Sequence, residues 1–188
     1  MRENNSTTLI GVIGTHRGAG VTHLVLLLGI FMSIVKGRRV ACVEASNHPC
    51  FLQAERDVHK YFKRKAKIYA KGNYELSQIM NAYEYVIIDF GCNYENVRER
   101  FLMCRVKLVV GNLSYWKLKD VMDFIAQTDN EPSRRNWIFI FNNPVRHIVH
   151  KIKARYKLRM LGARYIPDIA RLDEEAMDFL NELVEKQF

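Results

Sequence analysis

The sequence has few cysteines and lacks the patterns in which cysteine usually carries structure. Its four cysteines, Cys42, Cys50, Cys92 and Cys104, lie far apart in a chain of 188 residues and form no C-x-x-C pair. Their spacing argues against a disulfide-rich secreted scaffold and against the common zinc sites. The most apolar run, residues 24–35, is shorter than the ~20 residues that cross a bilayer, and we interpret it as a buried helix. We therefore expect a cytoplasmic protein.

Acidic residues are scarce relative to basic ones. The chain has 29 lysines and arginines against 20 aspartates and glutamates, which gives a formal net charge of +9. This balance favours an acidic partner, either nucleic acid or anionic lipid, and does not decide between them. A hydrophobic content of 48% excludes disordered and collagen-like chains, and the length suits one domain with a filled core. We expect residues 1–188 to form a single domain.

Short apolar runs alternate with longer helical patterns along the chain. Strands are predicted at residues 9–14, 39–44, 85–90, 107–111 and 137–142, with weaker ones at 67–70 and just before Ile166. Helices are predicted at residues 22–36, 95–103, 116–128 and 145–156 and from 173 onward, with a further helix between 45 and 83. The strand runs are continuously apolar, as in parallel strands covered on both faces. The pattern predicts a three-layer α/β fold with a doubly wound, mostly parallel sheet and helices on both faces.

A glycine-rich turn follows the first predicted strand. It reads Gly14-Thr15-His16-Arg17-Gly18-Ala19-Gly20-Val21-Thr22-His23 and leads into a predicted helix. Glycines let backbone N–H groups converge on an anion, and the N-terminus of the helix adds its dipole. In such sheets the ligand crevice lies outside the carboxyl ends of the strands. The turn therefore predicts a phosphate-binding loop formed by His16, Arg17, Gly18, Ala19, Gly20, Val21, Thr22 and His23.

This turn resembles the deviant Walker A loop of the ParA/MinD family of SIMIBI-class P-loop ATPases, whose pattern is G-K-G-G-x-G-K-[ST]. The resemblance covers nearly the whole chain. The strand ending in Asp89 is similar to the Walker B strand, and Glu44 stands where the family has an aspartate that acts on the attacking water. Asn142 and Pro167 stand where family members contact adenine. The resemblance implies a P-loop NTPase-like domain that binds ATP or ADP, with Mg²⁺ held by Thr22 and Asp89.

The chain departs from the family pattern at both of its lysines. Val21 replaces the helix-start lysine that reaches the β- and γ-phosphates, and His16 replaces the signature lysine that reaches across a dimer. Thr15 and Arg17 stand in place of glycines, and Glu44 is one methylene longer than aspartate. Loss of one preorganised electrostatic contact commonly costs ~10²–10³ in rate. We expect ATP hydrolysis to be lost or vestigial, while nucleotide binding stays open.

Three hypotheses follow from this pattern. The first is a ParA/MinD-like pseudo-ATPase that serves as a localisation or scaffold module, nucleotide-bound or purely structural. It resembles TadZ-type proteins, which position pilus or secretion machinery, and a partitioning machinery is a second setting. The second is an active ATPase in which Arg17 or a partner's side chain supplies the charge, with Glu44 and Asp89 catalytic, driving reversible DNA or membrane association. The third is a non-specific DNA-binding protein on the same scaffold.

Two basic segments, residues 56–71 and 146–164, carry much of the excess positive charge. They are candidate surfaces for non-specific DNA, an anionic membrane or a protein partner of an assembly or localisation system. Loss of the signature lysine favours a monomer, or a homodimer that does not pair across its nucleotide faces. Trp116 and Trp137 are expected in the core or the crevice.

Overall fold

The structure of the chain is a computed structural model that describes residues 7–47, 50–51, 65–72, 74–142, 144–163, 166, 169 and 172–185. Within these residues one sheet contains seven strands: β1 (Thr8–Gly14), β2 (Val40–Glu44), β3 (Ala66–Tyr69), β4 (Tyr85–Asp89), β5 (Val106–Asn112), β6 (Ile138–Asn142) and β7 (Arg159–Ala163). The same residues form the helices α1 (Val21–Ile30), α2 (Leu76–Ala82), α3 (Tyr94–Met103), α4 (Leu118–Gln127), α5 (Arg146–Tyr156) and α6 (Glu174–Glu185).

The strand order in the sheet is β3-β2-β4-β1-β5-β6-β7, and all neighbouring pairs are parallel. From β1 the chain continues to β2 on one side of the sheet, whereas β4 continues to β5 on the other side. A crevice opens outside the carboxyl ends of the strands where the direction of winding changes in this way. The predicted doubly wound α/β fold is confirmed.

The helices cover both faces of the sheet and leave two apolar cores. Helices α1 and α6 pack on one face, against side chains such as Ile10 and Val12 of β1. Helices α2 to α5 pack on the other face, where Ile13 of the same strand points. Because successive side chains of an inner strand enter opposite cores, nearly every position of β2, β4, β5 and β6 is buried, which explains their continuously apolar sequences, whereas the edge strands β3 and β7 are partly exposed. Among the helices of the described segments, none combines the length and apolar character needed to span a bilayer.

The first helix is the clearest local departure from the sequence prediction. We expect one helix over residues 22–36, but α1 ends at Ile30 and a π-helical turn, Phe31–Val35, follows. In this turn the backbone N–H of Lys36 donates to the carbonyl of Phe31 at 3.2 Å. The wider turn keeps Phe31 buried. A π-turn has no local sequence signature, so the pattern of apolar residues did not reveal it.

Candidate functional site

A crevice with a volume of about 750 Å³ lies at the carboxyl end of the sheet. It is lined by the whole loop from His16 to His23, by the segment after β4 from Asp89 to Glu95, and by Ser46 and Asn47 after β2. The structure therefore brings the predicted glycine loop and the predicted Walker B acid to one site. This is the place where an open α/β sheet binds its ligand.

The glycine loop has the backbone conformation of an anion-binding turn. Gly18 and Gly20 have φ angles of 79° and 101°, in the left-handed region that residues with a side chain rarely adopt. Gly20 is the residue before α1, so the unpaired N–H groups of the first helical turn face the crevice. These two glycines let the backbone present N–H dipoles to a phosphate without any side chain in between.

The helix-start position carries no positive charge. Val21 is 7% exposed, and a β-carbon placed on Gly14 would lie 2.9 Å from its Cγ2 atom, so the valine packs closely against the end of β1. Arg17 is exposed in the loop. Burial lowers the pKa of His16 and of His23, so both are largely neutral at pH 7. Arg17 is therefore the one full positive charge among loop residues 14–23, all of which the structure describes.

Thr22 and Asp89 form the best-defined polar pair of the crevice. The Thr22 hydroxyl donates to Oδ2 of Asp89 at 2.6 Å, and the backbone N–H of Gly91 donates to Oδ1 at 2.8 Å. Asp89 is 1% exposed, and burial raises its pKa above the ordinary value, with the nearby charge of Glu44 acting in the same direction. Hydroxyl and carboxylate oxygens are the ligands that Mg²⁺ prefers.

The Thr22–Asp89 pair offers a metal two oxygen ligands. No group of three or more His, Cys, Asp or Glu side chains within the described segments is arranged to hold a metal ion. Mg²⁺ commonly binds through one or two protein oxygens and completes its shell with substrate phosphates and water. The Thr22–Asp89 pair fits that kind of site, with the metal arriving together with a phosphate ligand.

Glu44 lies beside Asp89 in the sheet, but its carboxylate is engaged elsewhere. It is fully buried, and its Oε1 atom accepts hydrogen bonds from the backbone N–H groups of Cys50 and Phe51, the latter at 2.9 Å. Its Oε2 atom accepts from the backbone N–H of Lys71 at 3.3 Å. The side chain thus ties the segments that follow β2 and β3 to the sheet. Its predicted action on an attacking water remains untested.

The two histidines of the loop differ in their contacts. His16 Nδ1 lies 2.9 Å from the Thr15 hydroxyl, and the nearby positive charge of Lys117 adds to the effect of burial in lowering its pKa. His23 lies between the crevice and a second cavity of about 320 Å³. Its Nε2 atom is buried without a hydrogen-bond partner among the residues that the structure describes. Neither histidine replaces the charge of a lysine at neutral pH.

Asn142, the last residue of β6, links the glycine loop to the sheet through a hydrogen bond. Its side-chain amide donates to the carbonyl of Ala19 at 3.0 Å, and it lines the second cavity with apolar side chains of α1 and α6. Pro167, the other residue predicted to lie near the base, is outside the described residues.

The two basic segments differ in how much of them is described. Residues 56–64 lie outside the described part of the chain, as does Arg164. Lys65 donates to the Gly37 carbonyl at 2.9 Å and Lys71 donates to Asn47 Oδ1 at 2.7 Å, so these two lysines make local contacts. The lysine and arginine side chains of α5, of the residue after it and of the start of β7 are all exposed: Arg146, Lys151, Lys153, Arg155, Lys157 and Arg159. No acidic residue occurs between 144 and 163, so the exposed surface of α5 and the start of β7, here called the α5 basic face, carries basic side chains and no acidic side chain from this segment.

The structure separates the two tryptophans. Trp137 is 1% exposed and lies in the core, as predicted, whereas Trp116 is 84% exposed in the loop between β5 and α4. The prediction for Trp116 was wrong because α4 begins at Leu118, two residues later than expected, which leaves Trp116 outside the helix. Tyr115 beside it is 85% exposed. The sequence prediction placed neither residue on the surface. The lysines that follow the Tyr-Trp pair were the signal that could have indicated an exposed loop.

Comparison with solved structures identifies the fold. The chain superposes on a ParA family ATPase from Chlorobium tepidum TLS with a TM-score of 0.68 and 14% identity, covering 97% of this chain and 94% of that one. It superposes on a plasmid partition protein from Borrelia burgdorferi B31 bound to AMPPNP with a TM-score of 0.67 and 11% identity, over 97% and 100% of the two chains. The MinD cell division protein of Aquifex aeolicus gives a TM-score of 0.65 and 16% identity, over 97% and 99%.

These likenesses show that the chain has the fold of the ParA/MinD P-loop ATPases, as the sequence predicted. No protein-family model matches the chain, and no curated protein matches it in sequence. In this architecture the glycine loop and the Thr22–Asp89 pair lie at the carboxyl end of the sheet, where open α/β sheets bind their ligands.

Proposed function

We propose that the chain is a pseudo-ATPase of the ParA/MinD fold that binds a nucleotide phosphate group without turning it over and serves as a localisation module. The observation that carries the proposal is Val21, an almost fully buried valine at the first position of α1, where the resemblance places the phosphate-binding lysine. The protein would occupy a cytoplasmic assembly such as a partitioning, pilus or secretion machinery.

Electrostatics explain why this loop would bind a phosphate group without hydrolysing ATP. Backbone N–H dipoles at Gly18 to Thr22 attract an anion in its ground state, and they need no lysine for that. Phosphoryl transfer also needs fixed positive charge where negative charge develops on the phosphate oxygens. Arg17 lies at the exposed part of the loop and not at the helix start. A glutamate held by three backbone amides is also poorly placed to orient an attacking water.

The ligand that best fits the site is ADP or ATP with Mg²⁺. The Borrelia neighbour was solved with AMPPNP, and this chain retains an oxygen pair, Thr22 and Asp89, suited to a magnesium ion that a phosphate also contacts. With bound nucleotide, Mg²⁺ would supply the positive charge that neutralises phosphate oxygens. In the competing hypothesis of an active ATPase, Arg17 or a partner's side chain supplies the missing charge.

Steady-state release of phosphate from Mg-ATP tests the proposal. We expect the wild-type chain to release phosphate no faster than an Asp89→Asn variant, because the fixed cation is absent in both. The asparagine keeps the shape of the buried side chain, so a difference between the two proteins would not arise from misfolding. Turnover that is present in the wild type, absent in Asp89→Asn and reduced by Arg17→Gln would establish the active-ATPase hypothesis instead.

We also propose the α5 basic face as the docking surface for an acidic partner, with double-stranded DNA as the candidate that its charge favours. Each phosphate contact contributes about 0.9 to the slope of log affinity against log salt. A Lys151→Gln/Arg155→Gln double variant should therefore lower the slope by about 2 in a fluorescence anisotropy titration. Arg105→Gln, at an exposed arginine on another part of the surface, is the matched control and should weaken binding little. Equal slopes for all three proteins would reject this face, and binding only to anionic vesicles would assign it to lipid.

A further inference from the structure

Two neighbouring aromatic rings stand out on the surface at the crevice end of the sheet. Tyr115 and Trp116 are 85% and 84% exposed, and their ring centroids lie 5.7 Å apart with the planes at 88°. The other strongly exposed large apolar residues within the described segments are Ile34, Val35 and Met103. Those three lie at the far ends of the helical segments that follow β1 and β4, so they do not extend the Tyr115–Trp116 pair into a larger apolar patch.

The loop that carries the aromatic pair adjoins the glycine loop, since Lys117, next to Trp116, is close enough to His16 to contribute to lowering the pKa of that histidine. Strands β1 and β5 are neighbours, and the backbone N–H of Thr15 donates to the carbonyl of Val110 at 2.9 Å just before both loops begin. A shallow cavity joins Thr15 and His16 to Asp120 and Asp123 of α4. Arg17, the exposed glycine backbone and the two rings therefore share one end of the sheet.

The charges around the rings are mostly paired. Lys117 Nζ lies 3.2 Å from Asp120 Oδ2, and Lys119 Nζ lies 2.7 Å from Asp123 Oδ2. Arg17 makes the local balance positive, within a chain whose formal net charge is +9. An anion bound at this end of the sheet would thus face the Arg17 guanidinium and the N–H groups of the glycine loop.

The size and chemistry of this patch decide which partner fits it. A stable protein interface usually buries more than about 1,000 Å² around an apolar centre, and two isolated rings do not supply such a centre. Membrane anchoring by a loop would also be stronger with aliphatic side chains beside the rings. Nucleic-acid bases need only a flat ring to stack on, and each stack contributes on the order of 1–3 kcal/mol by alanine substitution.

A phosphodiester also suits the exposed part of the loop. Each phosphate of a polynucleotide backbone carries one negative charge, so a single arginine and backbone dipoles can balance it. A triphosphate concentrates several charges and would need Mg²⁺ beside the loop, whereas a phosphodiester would not. Arginine contacts phosphate through two parallel N–H donors, which compensates in part for its exposed position.

We propose that the crevice end of this chain binds single-stranded nucleic acid, with bases stacked on Tyr115 and Trp116 and a neighbouring phosphodiester held by Arg17. This activity goes beyond the proposed pseudo-ATPase function and does not require it, although both would place a phosphate at the glycine loop. It also uses a surface separate from the α5 basic face.

Tryptophan fluorescence is a site-specific probe of this proposal, because Trp116 is exposed while Trp137 is buried. Titration of the full chain with a short oligothymidylate should quench the solvent-exposed component of the emission as bases stack on Trp116. Anisotropy of the labelled oligonucleotide then measures affinity in the variants. Trp116→Ala should weaken binding about tenfold or more, and Trp116→Phe should retain most of it because the ring remains. Arg17→Gln should lower the salt slope by about 0.7.

Met103→Ala is the matched control, since Met103 is an exposed apolar residue, 76% accessible, that lies away from the rings. Its affinity should equal that of the wild type, and the thermal unfolding of Trp116→Ala should be unchanged because the side chain packs on little else. The proposal is overturned if Trp116→Ala binds the oligonucleotide as well as the wild type does. It is also overturned if only the Lys151→Gln/Arg155→Gln variant loses binding, or if Trp116 emission responds to anionic vesicles or to protein concentration and not to the oligonucleotide.

Discussion

Replacement of Glu44 by alanine is expected to lower the free energy of unfolding by about 3 kcal/mol or more. The carboxylate is fully buried and accepts hydrogen bonds from the backbone N–H groups of Cys50, Phe51 and Lys71. Each buried donor left without an acceptor costs about 1–3 kcal/mol. Relief of the repulsion between Glu44 and Asp89 offsets only part of this loss, because Asp89 keeps its own partners Thr22 and Gly91.

Urea unfolding followed by circular dichroism measures this effect. Glu84→Ala is the matched control, since Glu84 accepts one backbone N–H, from Arg39 at 2.9 Å, at a more exposed position. That variant should lose about 1 kcal/mol. Glu44→Gln should fall between the two, because its amide oxygen still accepts one set of bonds while its NH₂ group faces a backbone donor. A Glu44→Ala loss no larger than that of Glu84→Ala would contradict the anchoring role.

Replacement of Val21 by lysine is expected to raise the affinity for ADP and Mg²⁺ about 10- to 100-fold. A hydrogen bond to a charged group contributes about 1.5–3 kcal/mol, and every 1.4 kcal/mol is a factor of ten. The glycine loop already has left-handed φ angles at Gly18 and Gly20, so the new ammonium group would join a formed cradle. The aliphatic part of the lysine can keep the contact that Val21 makes with the end of β1.

Isothermal titration calorimetry with ADP and Mg²⁺ compares this variant with the wild type and with Val21→Met. Methionine has a similar length and no charge, so it separates the effect of the ammonium group from that of a longer side chain. We expect Val21→Met to bind like the wild type. Equal affinities for the lysine and methionine variants would mean that a side chain at position 21 does not reach a phosphate bound in the loop.

The strands and helices of the fold could be predicted from the sequence, because strands that are buried on both faces have continuously apolar sequences. Strand β4 is apolar until Asp89, and the edge strand β3 and the final helix were found from the same kind of regularity. The glycine turn could also be predicted, since Gly18 and Gly20 adopt the left-handed φ angles that such a turn requires. The π-helical turn at Phe31–Val35 was not visible, because its hydrogen bonds depend on packing and not on local residue type.

The direction of individual side chains was harder to foresee than their place in the sheet. Sequence position put Glu44 next to Asp89, but it did not reveal that the carboxylate of Glu44 accepts hydrogen bonds from backbone amides of the segments that follow β2 and β3. Asn142 was expected to read a base, and it hydrogen-bonds Ala19 of the loop. Trp116 was misplaced because a shift of two residues in the start of a helix moves a side chain from the protein to solvent.

Single-turnover hydrolysis, with the protein in excess over radiolabelled Mg-ATP, tests most directly whether a loop without the two lysines is unable to hydrolyse ATP. Under these conditions even a very slow first turnover is detected, and contaminating ATPases are revealed by the Asp89→Asn protein purified in parallel. The account predicts the same background rate of product formation for the wild type and Asp89→Asn. Hydrolysis by the wild type that Asp89→Asn abolishes would contradict it, and a further loss in Arg17→Gln would identify the cation that replaces the lysine.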